Sequence, residues 1–186
     1  YSNFNKTLST DFVYNSIKKT PGIELSYRGK KWSTRIGAGY VLRNIESQDH
    51  LRPNLNLKRD FEAIELNSNF NYRFTNKASI YTSYNLNNNI PSINQLQPFT
   101  NETNPLNIIT GNPNLKPTNR HSIHTSFNKY DFQKGTGFFI YTSLNTTNNQ
   151  VVSKSIVDPT TLVRNTTYEN VNGNYIFQFF GNYNKK

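Results

Sequence analysis

Three histidines are the residues in this chain whose chemistry most readily suggests metal binding. His121 and His124 lie three residues apart in a segment that predicts a β-strand. Residues at that spacing point to opposite faces of a strand, so these two cannot bind one metal ion together. His50 lies alone in a predicted loop, and the chain contains no cysteine. We therefore expect no metal site and no disulfide.

The acidic side chains do not form a recognisable catalytic pattern either. Glu24 and Glu65 lie on the polar faces of predicted strands, where they could meet arginines, but no close carboxylate pair is evident. The sequence has no Gly-x-Ser-x-Gly segment, no phosphate-binding loop and no dinucleotide-binding glycine fingerprint. We expect no enzymatic activity and no cofactor.

Potential ligand-binding chemistry is concentrated in one long connection, residues 87–119. A structureless loop of this length is uncommon unless it is functional. Its polar and aromatic side chains could form hydrogen bonds and stacking contacts with a ligand. The candidate ligand-binding residues are Gln95, Gln97, Phe99, Asn101 and Asn104. The alternative is that Leu96, Pro98, Leu115 and Pro117 only fold the connection onto the rim of the structure below it.

The segments that flank this connection show the period-two alternation of β-strands. The clearest case places Ile64, Leu66 and Phe70 on one face, with Glu65 and Asn67 on the other. Tight polar turns at Gly29, Asn76 and Lys134 join some strands, whereas the connections around Leu51, Gln95 and Asp158 are longer. We predict eight strands, at about residues 4–14, 23–28, 32–43, 64–74, 78–86, 121–129, 138–157 and 162–183, the last broken near Gly173.

The composition is compatible with strands that cross a membrane. The chain has 186 residues, is 34% hydrophobic and has a mean hydropathy of -0.75. No run of about 18 apolar residues occurs, which excludes a transmembrane helix. A membrane β-barrel remains possible, because only alternate residues of its strands need be apolar. The connections predicted here are of a short and a long kind, as at the two ends of such a barrel. Aromatic residues near predicted strand ends match an aromatic girdle: Tyr27, Trp32, Tyr72, Phe74 and Tyr183.

The formal net charge of +10 could indicate an anionic partner. Lysine and arginine are spread over the whole length, however, and no basic block is longer than a pair, which favours ordinary solvated side chains. The polar faces of the strands carry Arg28, Arg35, Arg43 and Arg73. In a barrel these arginines are predicted to face the lumen.

An ordered series of motifs resembles the C-terminal part of TonB-dependent receptors, especially the outer-membrane β-barrel family common in Bacteroidetes. Pro-Ser-Ile-Asn-Gln-Leu-Gln-Pro at 91–98 is followed by Asn-Pro-Leu at 104–106 and by Gly-Asn-Pro-Asn-Leu-Lys-Pro at 111–117. Thr-Tyr-Glu-Asn at 167–170 then follows a protruding hairpin. The resemblance covers residues 53–170 well and the first 50 residues only by their pattern.

This resemblance implies an all-β fold, an antiparallel up-and-down transmembrane β-barrel with long external loops, in the outer membrane of a Gram-negative cell. We expect the chain to be a single segment, residues 1–186, incomplete at both ends and holding about eight strands of a larger barrel. The plug domain and the segment that contacts TonB are expected to be absent. Such receptors import scarce ligands, namely siderophores, cobalamin, glycans or peptides.

The partners that follow from the resemblance are outer-membrane lipid, the plug domain, the remaining barrel strands, an inner-membrane energising complex and an unidentified small ligand. Two alternatives stay open. A soluble all-β binding or adhesin module would bury the apolar faces against a second sheet. A basic nucleic-acid binder with exposed aromatics would show steep salt dependence, although no nucleic-acid partner is expected.

Overall fold

A computed structural model describes residues 11–101 and 104–186 of the chain. These residues contain twelve strands, one short helix and one 3-10 turn. The strands are β1 (Phe12–Lys19), β2 (Gly22–Arg28), β3 (Trp32–Asp49), β4 (Leu57–Thr75), β5 (Ala78–Asn89), β6 (Thr100–Asn101), β7 (Asn107–Thr110), β8 (Thr118–Asp131), β9 (Thr136–Asn148), β10 (Gln150–Val157), β11 (Arg164–Val171) and β12 (Asn174–Lys185). The 3-10 turn is Pro53–Leu55, and the helix is α1 (Ile93–Leu96).

Eight of the strands form one antiparallel sheet in the order β1-β3-β4-β5-β8-β9-β12, with β2 also paired to β3. β1 and β2 lie end to end along β3 in one unbroken register. Pro21, which has no N–H to donate, separates them, while its carbonyl oxygen accepts a hydrogen bond from Tyr40 N at 2.8 Å. An edge strand tolerates this interruption. The predicted first strand at 4–14 therefore continues to Lys19, and residues 4–10 lie outside the described residues.

The two faces of the sheet differ in chemistry, as the alternation predicts. The register places Leu25, Ile36 and Ser68 side by side, and Glu24, Gly37 and Asn67 side by side on the other face. The first face is mostly apolar and exposed, and we call it the outer face. The opposite, mostly polar face is called the inner face. From Trp32 to Leu42 the outer face spans roughly 33 Å along β3, which corresponds to about 25 Å of height at the tilt of membrane barrel strands.

Aromatic rings on the outer face form a continuous row at the end of the sheet that carries the short turns. Successive ring centroids lie between 4.2 and 6.5 Å apart. We call this set the aromatic row: Tyr27, Trp32, Phe70, Tyr72, Phe74, Phe127 and Phe138. It contains four of the five predicted girdle residues, and Tyr183 lies opposite Phe138 in register.

Near the top of the apolar band and beyond it, the outer face becomes polar and the inner face becomes apolar. On the outer face Tyr40 Oη donates to Glu62 Oε2 at 2.6 Å, and Asn44 Nδ2 donates to Asp60 Oδ1 at 2.7 Å. On the inner face Val41, an exception in the predicted polar pattern, is buried. The hydrophobic core begins there, so it lies on the inner face beside the long connections.

The connection at 87–119 is not structureless, which corrects the sequence prediction. It contains α1, β6 and β7, and the last two join β10 and β11 in a second sheet of order β10-β11-β7-β6. β7 pairs with β11 in parallel, whereas the other pairs in this sheet are antiparallel. Sequence periodicity missed these short strands because their partners come from a distant part of the chain.

Two further boundaries differ from the prediction. The connection between the third and fourth predicted strands is shorter than expected, because β3 runs to Asp49 and β4 starts at Leu57. The predicted strand at 138–157 is broken at Asn149, whose φ of 52° lies in the left-handed region. The predicted break near Gly173 is confirmed by its φ of 91°.

Among the described residues, no helix is long and apolar enough to cross a membrane.

Candidate functional site

The long connection folds back over the inner face of β3 and β4. Leu96 and Leu115 are almost fully buried, at 0% and 1% exposure, and they pack with Ile45 and Phe61 in one cluster. Ile45 and Phe61 belong to the inner face because each lies in register with an inner-face residue of the neighbouring strand. For Leu96 and Leu115, the packing agrees with the alternative that these residues fold the connection onto the sheet. Pro98, in contrast, is exposed and Pro117 is half-buried.

A cleft of about 510 Å³ opens between this connection, the 50–56 segment and the second sheet. Its walls combine ionic, amide and aromatic groups with a few apolar side chains. The lining residues are Phe12, Asp49, Arg52, Leu55, Asn94, Gln97, Phe99, Ile109, Gly111 and Tyr168.

Three residues in the cleft form an ordered array. The Arg52 guanidinium contacts the Asp49 carboxylate at 3.1 Å, and its Cζ lies 4.6 Å from the centre of the Phe99 ring. The Asp49 side chain is 2% exposed and that of Arg52 is 16% exposed. The cation therefore has a fixed position over one aromatic face, while Phe99 as a whole stays 38% exposed. A ligand with a planar or apolar group can stack on such a ring without first ordering it.

Asp49 also organises the segment that presents Arg52. Its Oδ1 accepts hydrogen bonds from Leu51 N at 2.9 Å and from Arg52 N at 2.8 Å. Burial raises the pKa of the Asp49 carboxyl, but the Arg52 and Leu51 N–H groups and the Arg52 guanidinium together lower it by more, so its pKa lies below the ordinary value. Asp49 lies seven residues beyond the apolar band of β3. The carboxylate is thus ionised at neutral pH.

Gln97 attaches the connection to the sheet. Its Nε2 donates to Ser47 Oγ at 3.3 Å, and Ser47 is buried on β3. Gly111 passes so close to the Gln97 backbone that a Cβ at position 111 would overlap the Gln97 carbonyl oxygen. A glycine is therefore required at position 111, where this part of the connection passes the Gln97 backbone.

The other predicted ligand residues have local structural roles or lie elsewhere. The Gln95 side chain accepts a hydrogen bond from Ser92 N at 2.9 Å and so caps α1. Asn104 Oδ1 accepts from Leu106 N at 3.0 Å in a turn. Asn101 pairs with Ile109 through β6, and its side chain lies outside the described part of the structure. Of the predicted set, the structure brings Gln97 and Phe99 together in the cleft.

Sequence reasoning missed Asp49, Arg52 and Tyr168. Asp49 and Arg52 fell at the edge of what was predicted as a plain polar connection. An aspartate three residues before Arg52-Pro53 indicates a turn in which the aspartate side chain accepts hydrogen bonds from the backbone N–H groups that follow it. Tyr168 was noticed only as part of a motif. Its backbone oxygen accepts a hydrogen bond from Asn112 Nδ2 at 2.8 Å, which joins the 111–117 and 167–170 motifs in space.

All four predicted lumen arginines lie on the inner face, by register. Arg28 lies opposite Ser33 and Arg43 opposite Phe61, while Arg35 and Arg73 occupy inner-face positions of β3 and β4. Arg35 Nε contacts Glu24 Oε1 at 3.3 Å, one of the arginine–glutamate pairs that the sequence suggested. Glu65 instead pairs with Lys18, at 3.0 Å.

The two neighbouring histidines lie on opposite faces of β8, as the strand spacing predicts. His121 Nδ1 lies 3.0 Å from Tyr84 Oη on the outer face, and His124 Nδ1 lies 3.0 Å from Tyr141 Oη on the inner face. Each histidine thus has a tyrosine as its hydrogen-bond partner. In the described ranges, no group of three or more metal-ligating side chains comes together.

Comparison with known proteins agrees with this geometry. A sequence model described as "Outer membrane protein beta-barrel family" matches residues 1–186. A search of curated proteins returned no match. Among solved structures, a similar one is a double mutant of the Serratia marcescens hemophore receptor HasR in complex with its hemophore HasA and heme. The likeness has a TM-score of 0.63 at 14% identity and covers 92% of this chain and 32% of that one. The chain therefore spans about a third of the length of that receptor.

Proposed function

Because the chain belongs to the outer membrane protein β-barrel family and resides in the outer membrane, we propose that it is part of a TonB-dependent receptor that takes up a scarce ligand. The all-β antiparallel sheet supplies barrel wall, with the outer face towards lipid and the inner face towards the lumen. The motifs at 91–98, 111–117 and 167–170 support a receptor of the Bacteroidetes type. We assign the chain a binding and transport role without catalysis.

The observation that carries this proposal is the inward fold of the long connection. A barrel that only sealed a membrane would need no cleft above its lumen. Here the connection and the second sheet lie over the inner face, and Phe99 and Arg52 are held in fixed positions beside a space of about 510 Å³. In a barrel whose long loops face outward, this cleft lies on the external side, where ligand first arrives.

The open edges of the sheet indicate further partners. Within the described residues, the sheet ends at β1 and β2 on one side and at β12 on the other, and these edges do not pair with each other. Unpaired strand edges cannot remain in hydrocarbon. We therefore propose that further strands of the same receptor pair with both edges, and that Arg28, Arg35, Arg43 and Arg73 face its plug domain or the ligand path. An inner-membrane complex would energise the whole receptor.

Uptake by cells that express the full receptor tests this function. The test ligands are ferric siderophores, cobalamin, oligosaccharides, peptides and hemin, the last because the similar structure was solved with heme. The Phe99→Ala variant should bind the transported ligand about 2- to 10-fold more weakly, since an aromatic contact of this kind contributes about 0.5–1.5 kcal/mol.

Phe132→Ala is the matched control. Phe132 is 84% exposed in a turn at the opposite end of the sheet, and its loss should leave affinity unchanged. If cells that express the receptor take up none of the five ligand classes, the result would count against a receptor function. Equal affinities of the Phe99 and Phe132 variants would instead remove the cleft as the site, and leave the receptor function standing.

A further inference from the structure

The excess positive charge is not distributed evenly in space. Lysines that are far apart in the sequence are located at the same end of the sheet, the end that carries the short turns. Lys30, Lys31, Lys77 and Lys134 lie in these turns, and Lys129 and Lys185 lie at the adjoining strand ends. We call these six residues the basic rim. All six are exposed.

Acidic residues do not balance this end. In the turn segments 29–31, 75–77 and 131–135, the single acidic residue is Asp131. It is already paired with Lys77, whose Nζ lies 3.0 Å from Asp131 Oδ1. At the opposite end of the outer face the charges are mixed, since Asp60 and Glu62 accompany Lys58 on β4. The basic rim is thus a localised cationic surface.

The rim adjoins the aromatic row. Lys129 follows Phe127 by two residues on β8, so both side chains belong to the outer face, and Lys129 lies opposite Phe138 on β9. Lys185 follows Tyr183 in the same way on β12. Two residues advance a strand by roughly 6–7 Å, so Lys185 lies just beyond the ring of Tyr183, while Lys129 lies at the margin of the row beside Phe138.

This order of groups matches the depth profile of a lipid leaflet. Exposed apolar side chains suit hydrocarbon, and aromatic rings favour the interface. Long lysine side chains can lie along apolar surface while their ammonium groups reach the headgroups. Short turns face the periplasm in outer-membrane barrels, so the adjacent leaflet is the inner one.

We propose that the basic rim binds the phosphate groups of anionic phospholipids in the periplasmic leaflet. The inference goes beyond ligand uptake and depends only on the membrane orientation of the sheet. A juxtamembrane lysine strengthens binding to an anionic lipid surface roughly five-fold. Several lysines spaced around one end would thereby hold the barrel at a defined depth.

The test uses the full receptor in detergent, titrated with phosphatidylglycerol or with zwitterionic phosphatidylcholine and followed by native mass spectrometry. The rim variant replaces Lys31, Lys129 and Lys134 by glutamine. A control variant makes the same change at Lys58, Lys116 and Lys154, which lie at the other end and are also exposed. A third variant replaces the three rim lysines by arginine, which keeps the charge.

The rim variant should bind phosphatidylglycerol at least about 10-fold more weakly than the native receptor, whereas the control and arginine variants should bind as the native protein does. Phosphatidylcholine binding should not change in any variant. Equal losses in the rim and control variants would overturn the proposal. So would a rim variant that keeps its lipid but loses an acidic protein that copurifies with the native receptor.

Discussion

The side-chain amide of Asn170 pairs with both polar groups of the Lys116 backbone. Lys116 N donates to Asn170 Oδ1 at 2.8 Å, and Asn170 Nδ2 donates to Lys116 O at 3.0 Å. The same Nδ2 also donates to Asn149 O at 2.7 Å. One amide therefore joins the long connection, β11 and the break between β9 and β10, and it holds the second sheet beside the cleft.

Asn170→Ala should loosen the long connection. The substitution leaves Lys116 N, Lys116 O and Asn149 O without this partner, and because the Lys116 groups are exposed to water it costs about 0.5–1.5 kcal/mol. Hydrogen exchange in the full receptor should then speed up across residues 111–117. Asn170→Asp should be at least as disruptive as Asn170→Ala, because it keeps the acceptor for Lys116 N but turns a carboxylate oxygen towards the carbonyl oxygens of Lys116 and Asn149. The Asn182→Ala variant on β12 is the control. Equally fast exchange of residues 111–117 in both alanine variants would show that Asn170 does not hold the connection in place.

Gly111→Ala should displace the connection from the sheet. The added methyl group overlaps the Gln97 carbonyl oxygen, and backbone on both sides limits any relief. We expect a loss of about 1–3 kcal/mol in the free energy of local opening, together with weaker ligand binding in the cleft. Proteolysis within residues 90–117 measures the opening.

Gly181→Ala is the matched control for this change. A Cβ at position 181 would have its nearest neighbour, the Phe179 ring, at 3.7 Å, which is an ordinary contact. This variant should resist proteolysis as the native receptor does. A Gly111→Ala receptor with native resistance would show that the close approach to Gln97 is not required.

The turn at Asp49 should be stable at neutral pH and weaken only in acid. The pKa of Asp49 is lowered in the folded state, so its stabilising effect is fully present above the unfolded pKa of about 3.9 and disappears as the pH falls through the lower folded value. Protection of the Leu51 and Arg52 amides, corrected for intrinsic exchange, should stay constant from pH 7 to 5 and fall below about pH 4. Asp49→Asn should remove this pH dependence, and native-like acid sensitivity in that variant would assign it to another group.

Ile36→Arg tests the orientation of the sheet in the membrane. Ile36 lies near the middle of the apolar band on the outer face and is 56% exposed. A charge there should cost about 2–4 kcal/mol at the bilayer midplane. The urea midpoint of the receptor folded in vesicles measures this cost. Asn69→Arg, on the inner face opposite Arg35, should cost much less, and equal costs at both positions would argue that the outer face does not meet lipid.

Much of the sheet could be predicted from the sequence because a strand's alternation is a local property. The side chains at 23–27, 32–42 and 64–74 fall on the faces that their spacing indicates, and the short turns lie where Gly29, Asn76 and Lys134 suggest. The opposed directions of His121 and His124 follow from the same geometry. Strand ends were less accurate, since β3 and β4 continue past the point at which their apolar faces become polar.

The cleft could be predicted only in part. Gln97 and Phe99 were recognised as candidates, but α1, β6 and β7 were not. Asp49 and Arg52 were missed because their significance comes from Phe99, which lies about 50 residues further along the chain. The roles of Gln95 and Asn104 also depend on turns whose geometry the sequence did not reveal.

The sequence by itself determined which side chains share a face, because adjacent residues in extended backbone point in opposite directions whatever surrounds them. Only the tertiary structure decided that Leu115 packs on Ile45, that Asn170 engages Lys116, and that dispersed lysines gather at one end. Those relationships depend on which distant strands become neighbours and in what register. Local alternation does not specify the contacts between such distant segments.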